Sequence, residues 1–141
     1  MYEKVSSFVD DLSTDMSHGH YAGVSERFFF PAILFVVGKI IVVDTREQLA
    51  SIARAYGDEL ERAGMHSRKL KLNAVSLDLE GRHVAHVTGS YFEEAGVALD
   101  ESGFRYFLRE VEGPLKIEMI EMIDFPSLLK DFGAPLLAIA L

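Results

Sequence analysis

The chain has 141 residues, a formal net charge of −8 and a hydrophobic content of 49%. This length corresponds to one domain of ordinary size, and the hydrophobic content excludes a disordered chain. Cysteine is absent, which excludes disulfides, thiol nucleophiles and cysteine-ligated metal clusters. The excess of acidic residues repels a phosphate backbone on average, and the only basic cluster, at 68–71, is short and alternates with leucine. We therefore expect a strand edge at this cluster and no nucleic-acid partner.

Signals for export or membrane insertion are not found. The first residues, MYEKVSSFVDDL, lack the basic segment and the apolar stretch of a secretory signal. The longest apolar run, 28–43, is shorter than the roughly 20 residues of a membrane span and is interrupted by Pro31 and Gly38. We expect a cytoplasmic protein without membrane association.

Three helices are predicted in the first half of the chain. Apolar residues recur at helical spacing over 5–16, and a short second helix is predicted over 20–27. The third helix begins at Thr45, which forms a capping box with Gln48, and ends at Gly64. Its apolar stripe consists of Leu49, Ile52, Ala53, Tyr56, Leu60 and Ala63.

Strands are predicted on both sides of the third helix. The segments FFFPAILFVV and KIIVVD, separated by Gly38, are rich in Ile, Val and Phe, which favours a hairpin. Both faces of this hairpin are apolar, so it must be covered on both sides. Four antiparallel strands are predicted over 68–79, 82–94, 103–112 and 115–125, joined by turns at 80–81, 100–102 and 113–114.

The first of these four strands contains a change of phase. Leu70 and Leu72 share one face, whereas the apolar residues after position 74 have the opposite parity. A one-residue bulge near Asn73 or Ala74 would keep the apolar set on one face and bend the strand. Gly89, inside the next strand, is a second candidate for a bend. The sequence therefore predicts a curved sheet.

This order of elements resembles the nuclear transport factor 2-like superfamily, including its SnoaL-like branch. The resemblance covers about residues 1–126 and is carried by the FFFP segment, the VVGKIIVVD hairpin, the capped helix TREQLASIARAY and Gly89 before Tyr91. It implies an α+β fold of the cystatin-like type, in which a curved, mainly antiparallel sheet wraps around the helices as a cone. It also implies a pocket at the open end and, often, a homodimer through the outer face of the sheet. We therefore predict one domain over 1–126 and an apolar C-terminal extension over 127–141.

Members of this superfamily include isomerases, dehydratases, cyclases, epoxide hydrolases and non-catalytic binding modules. Many of the enzymes carry an Asp on or just before the first strand, but the stretch 28–35 here is FFFPAILF and has no ionisable group. The ketosteroid isomerase base, its oxyanion-binding Tyr and protonated Asp, and the Asp-Arg-Asp triad of the epoxide hydrolases have no counterparts. The resemblance therefore does not carry a catalytic set to this chain.

The last strand holds the candidate acid or base. One of its two parities contains Leu115, Ile117, Met119 and Ile123 with a single carboxylate, Glu121. We predict that this parity faces the cavity, where desolvation would raise the pKa of Glu121 toward the range of a general base. The alternative is that Glu121 pairs with Arg105 or Arg109 on the neighbouring strand. His86, Tyr91 and Arg105 are predicted to orient a substrate.

The predicted ligand pocket is mostly aromatic. Its candidate lining residues are Phe8, Phe28, Phe30, Phe35, Tyr56, Tyr106 and Met119. The other parity of the last strand would place Ile120 and Met122 on the convex face of the sheet, where an apolar patch calls for a partner. We predict a homodimer centred on these two residues, with the apolar end of the chain at its rim.

The five histidines do not form a metal site. His83 and His86 are three residues apart on a strand and point to opposite faces, and His18 with His20 supplies only two ligands. His66 follows a helix end, where its charge would interact favourably with the helix dipole. We predict neither a metal nor a cofactor.

These observations favour a module that binds a small, largely apolar molecule in the cone. One alternative is an isomerase, dehydratase or cyclase that uses a cavity carboxylate. Another is a protein-interaction module whose cavity is filled by its own side chains.

Overall fold

The computed structural model describes residues 1–36 and 38–124. In this part of the chain the helices are α1 (Tyr2–Ser17), α2 (Tyr21–Glu26) and α3 (Arg46–Arg62). The strands are β1 (Phe28–Val36), β2 (Lys39–Val43), β3 (Ser67–Leu77), β4 (His83–Phe92), β5 (Ala98–Glu110) and β6 (Leu115–Met122). Within these ranges no helix has the length and apolarity needed to cross a lipid bilayer. The predicted extension, 127–141, and its contact with a dimer rim lie outside the described residues.

The six strands form one sheet in the order β2-β1-β6-β5-β4-β3. All neighbours are antiparallel except β1 and β6, which are parallel and join the N-terminal hairpin to the last strand. The helices cover the inner face of this curved sheet, and the core lies between the two layers. The predicted α+β class, with helices against a curved, mainly antiparallel sheet, is confirmed.

The two long helices contribute one apolar stripe each to the core. In α1 the buried residues are Val5, Phe8, Val9 and Leu12, and in α3 they are Leu49, Ile52, Tyr56 and Leu60. The predicted capping box at the start of α3 is present: the amide of Gln48 donates to the Thr45 hydroxyl, and the Gln48 side chain accepts from the Thr45 amide, each at 3.2 Å. The cap fixes where α3 begins and therefore which residues its stripe presents to the sheet.

The predicted bulge in β3 is confirmed. Leu72 opposes Val87 and Ala74 opposes His86, so Asn73 is the extra residue. Beyond the bulge the apolar side chains return to the inner parity, but the strand extends past the core and Leu77 is 65% exposed.

The prediction for β4 and β5 was wrong in one detail. The pairing runs through Gly89 without a shift of register, and the bend predicted at Gly89 stays a prediction. The predicted turn at 100–102 was wrong, because these residues lie inside β5 and the chain reverses between Glu93 and Val97. Ser102 is buried and hydrogen-bonds Tyr91, and this long-range contact outweighs the turn propensity of the segment.

Replacement of Thr45 by Ala tests the cap of α3. We expect a loss of about 1 kcal/mol in the free energy of unfolding, since the Gln48 amide at the helix start loses its acceptor. Ser51→Ala is the matched control, because Ser51 is exposed on the same helix, and it should change stability by less than about 0.5 kcal/mol. Urea unfolding followed by circular dichroism measures both. Equal effects of the two substitutions would contradict a stabilising cap.

Candidate functional site

A cavity of about 90 Å³ lies between the helices and the inner face of the sheet. Helices α1, α2 and α3 and strands β1, β5 and β6 all contribute to its wall. Its lining residues are Leu12, Met16, Val24, Phe28, Leu34, Val36, Leu49, Ile52, Ala53, Tyr56, Phe104, Tyr106, Ile120 and Met122. Among the described residues, the lining includes no Asp, Glu, His, Lys or Arg, and only the two tyrosines carry polar side-chain atoms.

A β-bulge in β6 decides which side chains of that strand reach the cavity. Ile117 opposes Leu108, and Met119 opposes the next residue of β5, Phe107, so Glu118 is the extra residue. The bulge reverses the alternation of faces, and Ile120 and Met122 therefore point inward. The prediction that Ile120 and Met122 lie on the convex face was wrong, because it assumed uninterrupted alternation along the strand.

The same bulge places Glu121 on the outer face. It opposes Arg105 on β5 and forms an ion pair with that guanidinium. The orientation of Glu121 toward the cavity was therefore predicted wrongly, and the alternative, pairing with Arg105, is what the structure contains. His86 opposes Arg105 from β4, and its Nε2 lies 2.9 Å from the Ser76 hydroxyl. Arg105 and His86 thus belong to the outer face as well.

Three of the seven predicted pocket residues line the cavity, namely Phe28, Tyr56 and Tyr106. Phe8 is a buried residue of α1, and the Arg27 guanidinium lies 5.9 Å from its ring centre. Phe30 stacks on Phe28 instead of lining the cavity. These two predictions of pocket residues were wrong, because burial against other side chains satisfies an aromatic ring without a cavity.

The other two predicted pocket residues lie on the outer face. Phe35 opposes Glu121 in the parallel pairing of β1 with β6, and Met119 opposes Phe107. Neither is among the cavity residues. Met119 was predicted wrongly for the same reason as Glu121, since both follow the bulge at Glu118.

Several lining residues were not predicted. On α3 they are Leu49, Ile52 and Ala53, which belong to the helical stripe that the sequence already indicates. Leu34 and Val36 of β1 alternate with the outward residues Ile33 and Phe35. Because both parities of β1 are apolar, the sequence alone does not show which of them faces the helices. The remaining lining residues are Leu12, Met16 and Val24 of α1 and α2, and Phe104, Ile120 and Met122 of β5 and β6. Their place in the wall depends on how the helices pack and on which parity of β5 and β6 faces inward.

Tyr91 occupies the inner face next to the cavity wall. Its hydroxyl shares a 2.7 Å hydrogen bond with the Tyr56 hydroxyl and a 2.6 Å hydrogen bond with the Ser102 hydroxyl. The predicted inward position of Tyr91 holds, but Tyr91 lies behind Tyr56 and is not itself a lining residue. The three hydroxyls form a chain of hydrogen bonds that ends at a wall of the cavity.

The environment keeps these tyrosines neutral. Burial is the largest cause of the raised pKa of Tyr56, Tyr91 and Tyr106, because it disfavours the phenolate. The nearby guanidinium of Arg68 acts in the opposite direction on all three but does not outweigh burial. The phenols of the cavity wall therefore act as neutral hydrogen-bond groups and not as bases near neutral pH.

Metal ligands do not converge anywhere in the described part of the chain. No group of three or more His, Asp or Glu residues there could hold an ion. His83 opposes Leu108 and His86 opposes Arg105, so these two imidazoles lie on opposite faces of the sheet, as predicted.

Comparison with known proteins establishes the fold. No family model matches the sequence, and no curated protein matches it. ActVI-ORFA from Streptomyces coelicolor superposes with a TM-score of 0.68 at 14% identity, over 89% of this chain and 94% of that one. A candidate scytalone dehydratase from Novosphingobium aromaticivorans gives 0.63 at 11% identity, over 86% and 81%. A protein with a cystatin-like fold from Nostoc punctiforme gives 0.64 at 8% identity, over 86% and 88%. The chain therefore has the nuclear transport factor 2-like cone, and the resemblance seen in the sequence is confirmed at the level of fold.

The raised pKa values of the buried tyrosines predict a loss of stability at alkaline pH. Below about pH 10 both the folded and the unfolded chain keep their phenol protons. Above it the unfolded chain releases protons that the folded chain holds, so the free energy of unfolding falls as the pH rises. Urea unfolding at a series of pH values, together with tyrosinate absorbance, measures this effect.

Two variants identify the groups responsible. Tyr106→Phe should reduce the alkaline loss and leave the stability at neutral pH nearly unchanged, since within the described residues its hydroxyl makes no hydrogen bond. Tyr91→Phe removes two hydrogen bonds and should lower the stability at neutral pH by about 2 kcal/mol. Ionisation of these tyrosines in the folded protein near pH 10 would contradict the prediction.

Proposed function

We propose that the protein binds a small, largely apolar molecule in the cavity of the cone. The observation that carries this proposal is the cavity wall, whose described residues are apolar except for two neutral tyrosines. Apolar ligands gain free energy from leaving water, and a few hydroxyls in an apolar wall orient them. We also retain the cytoplasm as its proposed location, since a chain without cysteine needs no oxidising compartment to form disulfides.

The size of the cavity limits the ligand. Pockets that hold drug-sized molecules measure roughly 300–1,000 Å³, whereas this cavity measures about 90 Å³. It suits a short alkyl chain, a single ring or one end of a longer molecule. The cavity is also not filled by side chains, which argues against a protein-interaction module that lacks an internal site.

Binding is favoured over acid–base catalysis. A general base must lie within hydrogen-bonding reach of the atom from which it takes a proton. Glu121, the carboxylate predicted for that role, faces outward and pairs with Arg105. The ionisable groups of the described lining are Tyr56 and Tyr106, which burial keeps protonated. Isomerase, dehydratase and cyclase activities would need a base that the described part of this wall does not offer.

Linear alcohols of increasing length test the binding proposal. Each further buried methylene contributes about 0.8 kcal/mol, so the affinity should rise by about fourfold per carbon until the cavity is full. Isothermal titration calorimetry measures the series. Ala53→Leu adds three carbons to the cavity wall and should weaken binding of the best alcohol by about tenfold or more.

The matched control is Ala50→Leu, because Ala50 lies on the same helix beside a surface groove formed with Ser51 and Arg54. This variant should bind the alcohols like the unmodified protein. Affinities that do not depend on chain length, or equal binding by both leucine variants, would exclude the cavity as the site.

We further propose that the protein forms a homodimer through the outer face of the sheet. The residues that support this proposal differ from those predicted from the sequence. They form an outer apolar patch that consists of Ile33, Phe35, Ile40, Val42, Phe107 and Met119. Phe107, Met119, Ile33 and Val42 oppose one another in register across β5, β6, β1 and β2.

A second copy of the chain would cover this apolar patch and remove it from water. Ile40 is 59% exposed and Val42 is 52% exposed, and the ion pair of Arg105 with Glu121 lies at the side of the patch. A two-fold axis would bring the same apolar rows of two copies together and leave the charged side chains at the rim. The contact would remove exposed β-branched side chains from solvent.

Val42→Glu tests the dimer. We expect sedimentation to change from twice the 15.7 kDa of the chain to a single chain, since a charge would be buried in the contact. Val97→Glu is the control, because Val97 is 56% exposed in the turn between β4 and β5, away from the patch. A monomer in the unmodified protein, or a dimer that persists in Val42→Glu, would refute this interface.

A further inference from the structure

Arg68 is a cation on the inner face of the sheet. It opposes Tyr91 in the pairing of β3 with β4, and it is only 9% exposed. The basic cluster to which it belongs was expected to form a strand edge. Lys69, its neighbour in this cluster, points to the other face and is exposed. Arg68 is therefore the member of the cluster that folding removes from water.

The protein only partly compensates the charge of Arg68. Nη2 donates to the Met16 carbonyl at 3.2 Å, near the C-terminus of α1, where the helix dipole favours a cation. The guanidinium also lies 5.6 Å from the centre of the Tyr56 ring. However, no carboxylate in the described part of the chain forms an ion pair with it, and its buried Nη1 has no hydrogen-bond partner there. A buried donor without an acceptor is costly, so an anion that accepts a hydrogen bond from Nη1 would bind favourably.

A polar cleft lies beside Arg68. Its volume is about 170 Å³, and its wall includes Ser17, Tyr21, Gly57, Glu61, His66 and Arg68. Gly57 keeps the cleft open, because a Cβ at that position would stand 2.3 Å from the Tyr21 hydroxyl and 3.6 Å from Arg68 Nη2. The hydroxyl and the guanidinium thus converge on one point of the wall.

The cleft and the cavity are neighbours. Met16 lines both of them. Tyr56 lines the cavity, and the Arg68 guanidinium lies over its ring. A methionine side chain is flexible, so the part of the wall that it forms can yield to a ligand. A molecule with an apolar part in the cavity can therefore direct its other end to Arg68.

We propose that Arg68 binds the carboxylate of the cavity ligand, and that this ligand is a small amphipathic monocarboxylic acid. The inference rests on the proposed binding of an apolar molecule in the cone and adds the chemistry of its polar end. A guanidinium and a carboxylate match in charge and can form two parallel hydrogen bonds. One cation balances one negative charge, and Glu61 in the same wall repels a dianion such as a phosphate monoester.

Pairs of linear acids and alcohols of equal length test this inference. Hexanoate with hexanol, and octanoate with octanol, are titrated into the protein at neutral pH by calorimetry. We expect each acid to bind at least about tenfold more tightly than its alcohol, because charge-assisted hydrogen bonds are stronger than neutral ones. Arg68→Met should abolish this preference and leave the affinity for the alcohols unchanged. Lys69→Met removes the same charge from the adjacent residue and should keep the preference.

A purely structural role of Arg68 makes a different prediction. In that case Arg68→Met would lower the melting temperature, while the affinities for acids and alcohols would change together. Glu61→Gln provides a test that does not alter the core, since Glu61 is exposed. It should tighten binding of the acids by about twofold or more and leave the alcohols unaffected, because a like charge near the site is removed.

The outcomes separate the two proposals. If alcohols bind and acids bind no more tightly, the role of Arg68 is refuted and the apolar cavity stands. If neither class binds the unmodified protein, both proposals fail. An acid preference that persists in Arg68→Met, or that does not respond to Glu61→Gln, would also overturn the assignment of Arg68.

Discussion

Successive side chains of a strand point to opposite faces of a sheet, so an extra residue in one strand exchanges the faces of every residue beyond it. In this protein that residue is Glu118 of β6. Its carboxylate is held on the outer face by the guanidinium groups of Arg82 and Arg109, and the strand then resumes with Ile120 and Met122 inward. The apolar wall of the cavity, the outward position of Glu121 and the composition of the outer patch all depend on this bulge.

The charges of the sheet are segregated by the cost of desolvation. On the outer face, acidic and basic side chains of β5 and β6 form ion pairs across the strands, where water and opposite charges stabilise them. The inner face carries phenols and hydroxyls, which can be buried once they share hydrogen bonds. Two charged side chains also have the inner parity, because Arg68 of β3 and Asp100 of β5 both oppose Tyr91 of β4.

The features that local sequence determines could be predicted. The capping box at Thr45, the stripe of α3 and the bulge near Asn73 each depend on residues close together in the chain. The bulge at Glu118 has no such signal, because both parities of β6 carry apolar side chains and hydropathy cannot distinguish them. Only the pairing with β5 reveals it. Arg68 has the same parity as Leu70 and Leu72 in the sequence, and its register with Tyr91 shows that this parity faces inward.

The parallel pairing of β1 with β6 has a consequence for the order in which the protein is made. Phe28 pairs with Ile117, so the N-terminal hairpin has no neighbour in the sheet until nearly the whole described chain has left the ribosome. Contacts this distant in sequence form late and slowly, because a long loop must close first. During synthesis the hairpin, which is apolar on both faces, has no strand on the β1 side. The edge of β1 stays open and can pair with other chains. The cavity is completed last, so a ligand can protect only the finished chain and not its growing precursor.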